Sequence, residues 1–331
     1  MSEATPATQV RTGGRRVLDA VRTVVVGMDD ALELALATIL AGGHVLFEDV
    51  PGLGKTVAAR SLASALGLDF RRLQCTPDML PGDVTGSYVY APATGTFEFR
   101  PGPIFTGLLL ADEINRTTPK TQSAMLEAMA ERQVTVEGTS FPLPSPFHVV
   151  ATSNPIEFEG TYSLPEAQLD RFMVRLAVGY PSSDGEAEIL ARRVARRQEA
   201  AHVDPVLTAA ELLELQALVE RIHVDLDVAA YCVSLARATR GAQHVAVGAS
   251  PRGSQALLLV SRALAALDGR DYVRPDDLKR AAIPTLAHRL TLTPQAWAQG
   301  ISPEAVVRTV RDSVAVPPTV SARAAAPVGL G

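Results

Sequence analysis

Cysteine is almost absent: Cys75 and Cys232 are the only two in 331 residues. That excludes a disulfide-rich scaffold and a cysteine-based zinc framework, and two reduced thiols in a reducing compartment are the simpler reading. Long apolar runs are missing as well. The stretch from Ala35 to Ala41 stops at Gly42-Gly43, far short of the roughly 20 residues that cross a bilayer. The first residues are polar and small, without the apolar core of a secretory signal. Positive charge is not in excess either. The formal net charge is −5, so nothing in the balance marks a nucleic-acid partner. The expectation is a cytoplasmic protein without a membrane span. What is present, 47% hydrophobic and 20% charged residues, is the composition of a globular protein. The length suits two domains at roughly 150 residues each.

Residues 1–14 read as a disordered leader, and 317–331, rich in Ala, Pro and Gly, as a disordered tail. A helix is expected from Asp29 to Ala41, its acidic start suited to the helix dipole. Apolar runs recur at Val45 to Phe47, Phe70 to Leu73, Leu108 to Ala111, His148 to Thr152 and Phe172 to Val178. Leu108 to Ala111 does not alternate, as expected of a parallel strand buried on both faces. Helical patterns separate several of these runs, including Pro119 to Arg132. Strand–helix alternation predicts an α/β domain with a mostly parallel sheet over residues 15–181. Two hairpins interrupt it, Ser87 to Arg100 and Gln133 to Leu143; on pattern alone they read equally as ordinary surface hairpins. After Pro181-Ser182-Ser183 the pattern is helical only, so 182–316 reads as a smaller all-helical domain. Its signals are a capping box at Thr208 and Glu211, a helix from Asp227 to Arg240, and the Ser250-Pro251 start of another. A last helix begins at Arg274-Pro275, with Pro284 expected to kink or end it.

The first chemically pointed stretch is Asp49-Val50-Pro51-Gly52-Leu53-Gly54-Lys55-Thr56. It follows a buried strand and opens a helix, the setting in which a glycine loop and a helix N-terminus form a phosphate cradle. Lys55 suits the β- and γ-phosphates, and the Thr56 hydroxyl suits Mg²⁺. The Walker A pattern is complete only in its second half, because Asp49 stands where it wants glycine. Asp112-Glu113 follows the apolar run at Leu108, at the carboxyl end of its strand, where open parallel sheets bind ligands. Neighbouring side chains on a strand face opposite ways. Asp112 therefore suits the metal and Glu113 the polarisation of an attacking water. Asn154 ends the next strand, where an amide can orient water, although Asn-Pro also punctuates loops. Arg171 is a candidate arginine finger. Arg252 lies in the first turn of its helix, and surface salt-bridging is the plain alternative for both arginines. Arg192-Arg193 and Arg196-Arg197 read as a solvated helix face.

Three segments together resemble the MoxR family of AAA+ ATPases: Gly42 to Thr56, Leu108 to Arg116 and Gly160 to Phe172. The resemblance extends over roughly Val24 to His288. It implies Lys55 and Thr56 as the Walker A pair, with Pro51, Gly52, Leu53 and Gly54 as its loop. It likewise implies Asp112 and Glu113 as Walker B, Asn154 as sensor 1, Arg171 as the arginine finger and Arg252 as sensor 2. Val26-Gly27 is similar to the segment lining the adenine pocket, and the two hairpins to inserts that face a central pore. The implied cofactors are ATP and Mg²⁺. ATP is expected between the α/β domain and the helical lid, with Arg252 reporting the γ-phosphate to the lid. The implied partners are further copies of the chain in a ring, most simply a hexamer, a von Willebrand factor A-domain protein, and a client the sequence does not name. The implied work is chaperone-like remodelling or metal insertion. A magnesium-chelatase-like motor subunit and a nucleotide-gated scaffold with little turnover are the alternatives.

Overall fold

The computed structural model describes residues 5–155, 161–198 and 201–317. Its strands run in chain order β1 (Val45–Glu48), β2 (Phe70–Gln74), β3 (Gly86–Ala91), β4 (Thr96–Pro101), β5 (Leu108–Asp112), β6 (Gln133–Val136), β7 (Thr139–Pro142), β8 (His148–Ser153) and β9 (Val174–Leu176). Five of them form one sheet in the order β2-β5-β8-β1-β9, every pairing parallel. β5 and β8 are buried along their whole length, which is why their sequences carry no polar alternation. Their successive side chains feed two separate cores. Leu108, Leu110, Val45 and Phe47 join one, and Leu109, Ala111 and Leu46 join the other, as the twofold period of a strand requires. The register places Glu48 beside Ser153 and Gln74 beside Asp112. The carboxyl ends of β1, β2, β5 and β8 thus form one continuous edge.

The helices are α1 (Pro6–Arg22), α2 (Asp29–Leu40), α3 (Lys55–Ala65), α4 (Pro81–Thr85), α5 (Pro119–Glu131), α6 (Glu166–Leu169), α7 (Ser183–Arg196), α8 (Ala209–Val219), α9 (Leu226–Arg240), α10 (Pro251–Leu267), α11 (Pro275–Leu286), α12 (Pro294–Ala298) and α13 (Pro303–Ser313). The capping box expected at Thr208 forms: its N–H donates to Glu211 at 2.7 Å, and Glu211 N–H donates to its hydroxyl at 3.2 Å. From α8 on, the chain is helical apart from a short ribbon, β10 (Val245–Val247) with β11 (Thr291–Leu292). The α/β sheet domain with a helical lid is thus the observed fold.

Two expectations need correction. The leader predicted to be disordered through Gly14 is helical from Pro6, where Thr5 caps α1. Ala7, Val10, Val17 and Val21 are buried, and the helix packs on α10, α8 and α3. Gly13 and Gly14, at the end of that leader, are points of close approach: a Cβ there would meet Leu215 Cδ1 at 2.7 Å and Leu267 Cδ2 at 2.2 Å. Secondly, α11 is not the last helix; it continues two residues past Pro284, passes into a 3₁₀ turn at Ala287–Arg289, and α12 and α13 follow. Cys75 and Cys232, read as unpaired thiols, are both buried and free, and burial pushes both up to about 12. The predicted tail beyond Pro317, like residues 1–4, lies outside the described residues.

The two hairpins, β3–β4 and β6–β7, stand outside the sheet. They touch through Phe99 and Phe141, whose rings stack at 3.9 Å. Among the described residues no helix is long and apolar enough to cross a membrane.

Candidate nucleotide site

The loop between β1 and α3 turns through Gly52 and Gly54, at φ +85° and +82°. A Cβ at either would meet no atom within 4 Å. The backbone angle requires glycine there, and the loop's inner face is open. Gly54 is the N-cap of α3, so the unpaired N–H groups of a helix start face the cradle. Lys55, 8% exposed, donates to the carbonyls of Asp49 at 2.5 Å and Val50 at 3.0 Å. Burial pushes its ammonium down, Asp49, Asp112 and Glu113 push it back up, and the net position is below the ordinary lysine value.

At the neighbouring strand ends, Asp112 accepts from Thr152 at 2.6 Å, from Thr56 at 3.3 Å, and from Arg72 Nε and Nη2 at 3.0 and 2.7 Å. Glu113 takes a left-handed backbone, φ +59°, its N–H donating to the Thr152 hydroxyl at 2.8 Å. Its carboxylate accepts from Gln74 at 2.6 Å and lies 3.4 Å from Arg116. Pro51 to Thr56, Asp112, Glu113 and Asn154 together line a cavity of about 250 Å³. A hard divalent cation takes oxygen ligands and keeps several waters or phosphate oxygens. The Thr56 hydroxyl beside the Asp112 carboxylate fits that demand.

A larger cavity of about 580 Å³ adjoins it and shares Gly52, Leu53, Gly54 and Thr56. Its other walls include Val26, Gly27, Val57, Pro181 and Ile189. That is a mostly apolar space continuous with a phosphate cradle, and the predicted Val26-Gly27 segment forms part of it.

Arg171 and Arg252 are elsewhere. They share a separate cavity of about 210 Å³ with Asp170, Gln255 and Arg289, and neither lines the phosphate cavity. Arg171 donates to Leu126 O at 2.7 Å. Arg252 lies 3.7 Å from Asp170, which also accepts from Arg289 at 2.7 Å. Arg252 was expected at the γ-phosphate, reporting to its own lid. Instead α10 packs along α1, α2, α9 and α11, which sets its N-terminal turn beside α6 and away from the glycine loop.

Sequence reasoning missed Arg72, Gln74, Thr152, Asp170 and Arg289. For the first two a signal existed: polar side chains at alternate positions near the end of β2, beside the ligand edge. Asp170 and Arg289 lie 119 positions apart, and only the fold joins them.

This arrangement, a five-stranded parallel sheet with a phosphate loop, two acids at the next strand end and a helical lid, defines a P-loop AAA+ ATPase class. The model of the "ATPase family associated with various cellular activities (AAA)" matches residues 44–174, and that of the AAA lid domain matches residues 237–310. The uncharacterized protein YeaC of Bacillus subtilis is 48% identical over 91% of this chain and 94% of its own. Chaperone MoxR1 of Mycobacterium tuberculosis is 42% identical over 94% of this chain and 84% of its own. The crystal structure of a putative ATPase from Cytophaga hutchinsonii superposes with a TM-score of 0.87 at 38% identity, covering 95% of this chain and 97% of that one. The chain belongs to the MoxR family of AAA+ ATPases.

Proposed function

We propose that the chain hydrolyses ATP·Mg²⁺ at the interface of a ring of identical copies, most simply a hexamer, and uses the cycle to remodel client proteins. The observation that carries this reading is the division of the site. The phosphate cradle and both acids lie at one edge of the sheet, while Arg171 and Arg252 lie together in another cavity. A second copy bringing its arginine face to the first copy's phosphate edge completes the set.

In that assembly Lys55 and the Gly52–Gly54 turn bind the phosphate chain. Thr56 and Asp112 would hold the cation, which when bound would neutralise phosphate charge. Glu113 polarises the attacking water, Asn154 orients it, and the neighbour's Arg171 and Arg252 meet the charge that develops on the γ-phosphate. Val26 and Gly27 line the adenine end. The hairpins β3–β4 and β6–β7 are the parts that would contact the client, since both lie outside the sheet and β3–β4 exposes Tyr90 and Phe97.

The MoxR resemblance supports a chaperone-like role with a von Willebrand factor A-domain partner. A motor subunit like that of magnesium chelatase is the second reading, and the 42% identity to a protein named as a chaperone favours the first. A non-hydrolysing scaffold is the third. Glu113→Gln separates the enzyme from the scaffold. It should bind ATP within about twofold of wild type and release phosphate at least about 10²-fold more slowly. A variant that turns over at the wild-type rate removes Glu113 from its role, and a wild type that releases no phosphate supports the scaffold. Capture with the same variant in ATP identifies partner and client.

A further inference from the structure

Asp49 occupies the position where the Walker A pattern has glycine, and an acid in a phosphate loop is at first sight a liability. Its carboxylate, however, is spent in the other direction. One oxygen accepts from Val50 N–H at 2.8 Å. The other accepts from two successive N–H groups, Val178 at 2.8 Å and Gly179 at 2.7 Å. These two residues belong to the connection that leads from β9 to α7, with Gly179 at φ +72°. Burial opposes ionisation of Asp49, but the bonds from Gly179, Val50 and Val178 and the charge of Lys55 outweigh it. The same residue holds Lys55 through its carbonyl at 2.5 Å. One side chain and one carbonyl thus tie the phosphate lysine to the connection into the lid.

That connection is also a wall. Val178, Gly179 and Pro181 line the 580 Å³ cavity together with Val26 and Gly27. Pro181 packs close to Gly27: a Cβ on Gly27 would stand 3.2 Å from its Cβ. Where Asp49 holds Val178 and Gly179 therefore decides how wide the nucleoside end of the site is. A glycine at this position leaves both N–H groups without a partner and the wall without an anchor on the loop.

We propose that Asp49 is a positioning residue that latches the β9–α7 connection to the phosphate loop, and so sets the nucleoside wall of the ATP site. The inference rests on the ATP reading of that site. It predicts a split between two ligands that share phosphates but not a nucleoside. Isothermal titration of the full chain with Mg²⁺–ATP and with Mg²⁺–tripolyphosphate measures it. Asp49→Gly should bind tripolyphosphate within about twofold of wild type and ATP at least about tenfold more weakly, the loss of at least one bond to a charged acceptor. Asp49→Asn keeps the shape and one acceptor oxygen. It should show the same split at smaller size, and it serves if the glycine variant does not fold. Unchanged ATP affinity in both variants, or an equal loss for both ligands, overturns the latch. A wild type that binds tripolyphosphate but gains nothing from the nucleoside overturns the ATP reading, and the latch with it.

Discussion

Asp170 sits beneath two arginines of very different exposure. The Arg289 side chain is 2% exposed and that of Arg252 is 54% exposed. Arg289 also donates to the carbonyls of Phe172 and Met173, and burial pushes its guanidinium down while Asp170 pushes it up. Removing Asp170 leaves a buried cation short of its counter-charge, whereas removing Arg252 breaks only a long surface pair. Asp170→Ala should therefore lose on the order of 3 kcal/mol of unfolding free energy in urea. Arg252→Ala should lose less than about 1 kcal/mol. Equal losses in the two variants contradict this account of the arginine face. At this scale much of the site was legible in the sequence. Lys55, Thr56, Asp112, Glu113 and Asn154 each follow an apolar strand within a residue or a short loop, and the ends of parallel strands are where ligands bind. The place of Arg252 was not legible, because it depends on how α10 packs rather than on its own neighbours in the chain.

Among the elements, the sheet was readable and α1 was not. β5 announces itself by the apolar run Leu108 to Ala111, and β8 by Val149 to Ala151. α1 carries a glycine pair and several polar residues, which read as a leader; those glycines instead admit Leu215 and Leu267. The opposite end of the sheet carries a second feature with a measurable consequence. His44 and His148 flank the starts of β1 and β8, both buried. His44 accepts from Val149 N–H at 2.9 Å, and His148 Nδ1 lies 2.8 Å from Gly43 O. Burial, then the Arg132 and His148 charges, hold His44 far below its ordinary value. Burial, opposed by the Gly43 carbonyl and aided by Arg132, takes His148 to about 4. His288, buried beside Arg289 and Arg175, is lowered in the same way. Below an unfolded value near 6.5 the unfolded chain takes up protons that these folded histidines refuse. Stability is therefore retained above that pH and lost as pH falls toward 4, by up to about 1.4 kcal/mol per pH unit for each histidine. The melting temperature at pH 5.5 should lie below that at pH 7.5, and an equal or higher value contradicts neutral burial.

For the whole molecule, the division of the site is the decisive feature. The phosphate edge holds a lysine, a threonine, two acids and an asparagine, and the arginine cavity lies across the fold with α6 and the start of α10. On the proposed reading neither half suffices for hydrolysis, since an arginine finger is worth about 10³ to 10⁵ in rate in other nucleotide hydrolases. The proposed ring would place the two halves in contact through a head-to-tail interface. Coupling to the lid then follows from the chain itself, because α10 carries Arg252 and Asp49 ties the loop to the connection that enters α7.

Subunit mixing tests this most directly. Lys55→Ala removes the phosphate lysine and keeps both arginines, while Arg171→Ala does the reverse. Each variant alone, assembled to the same size as wild type, should release phosphate at a small fraction of the wild-type rate. Mixed in equal amounts and allowed to exchange, they should recover about a quarter of wild-type turnover, because one head-to-tail interface in four joins an intact cradle to an intact arginine. Turnover in the mixture no higher than the mean of the two parents would contradict a site shared between neighbours.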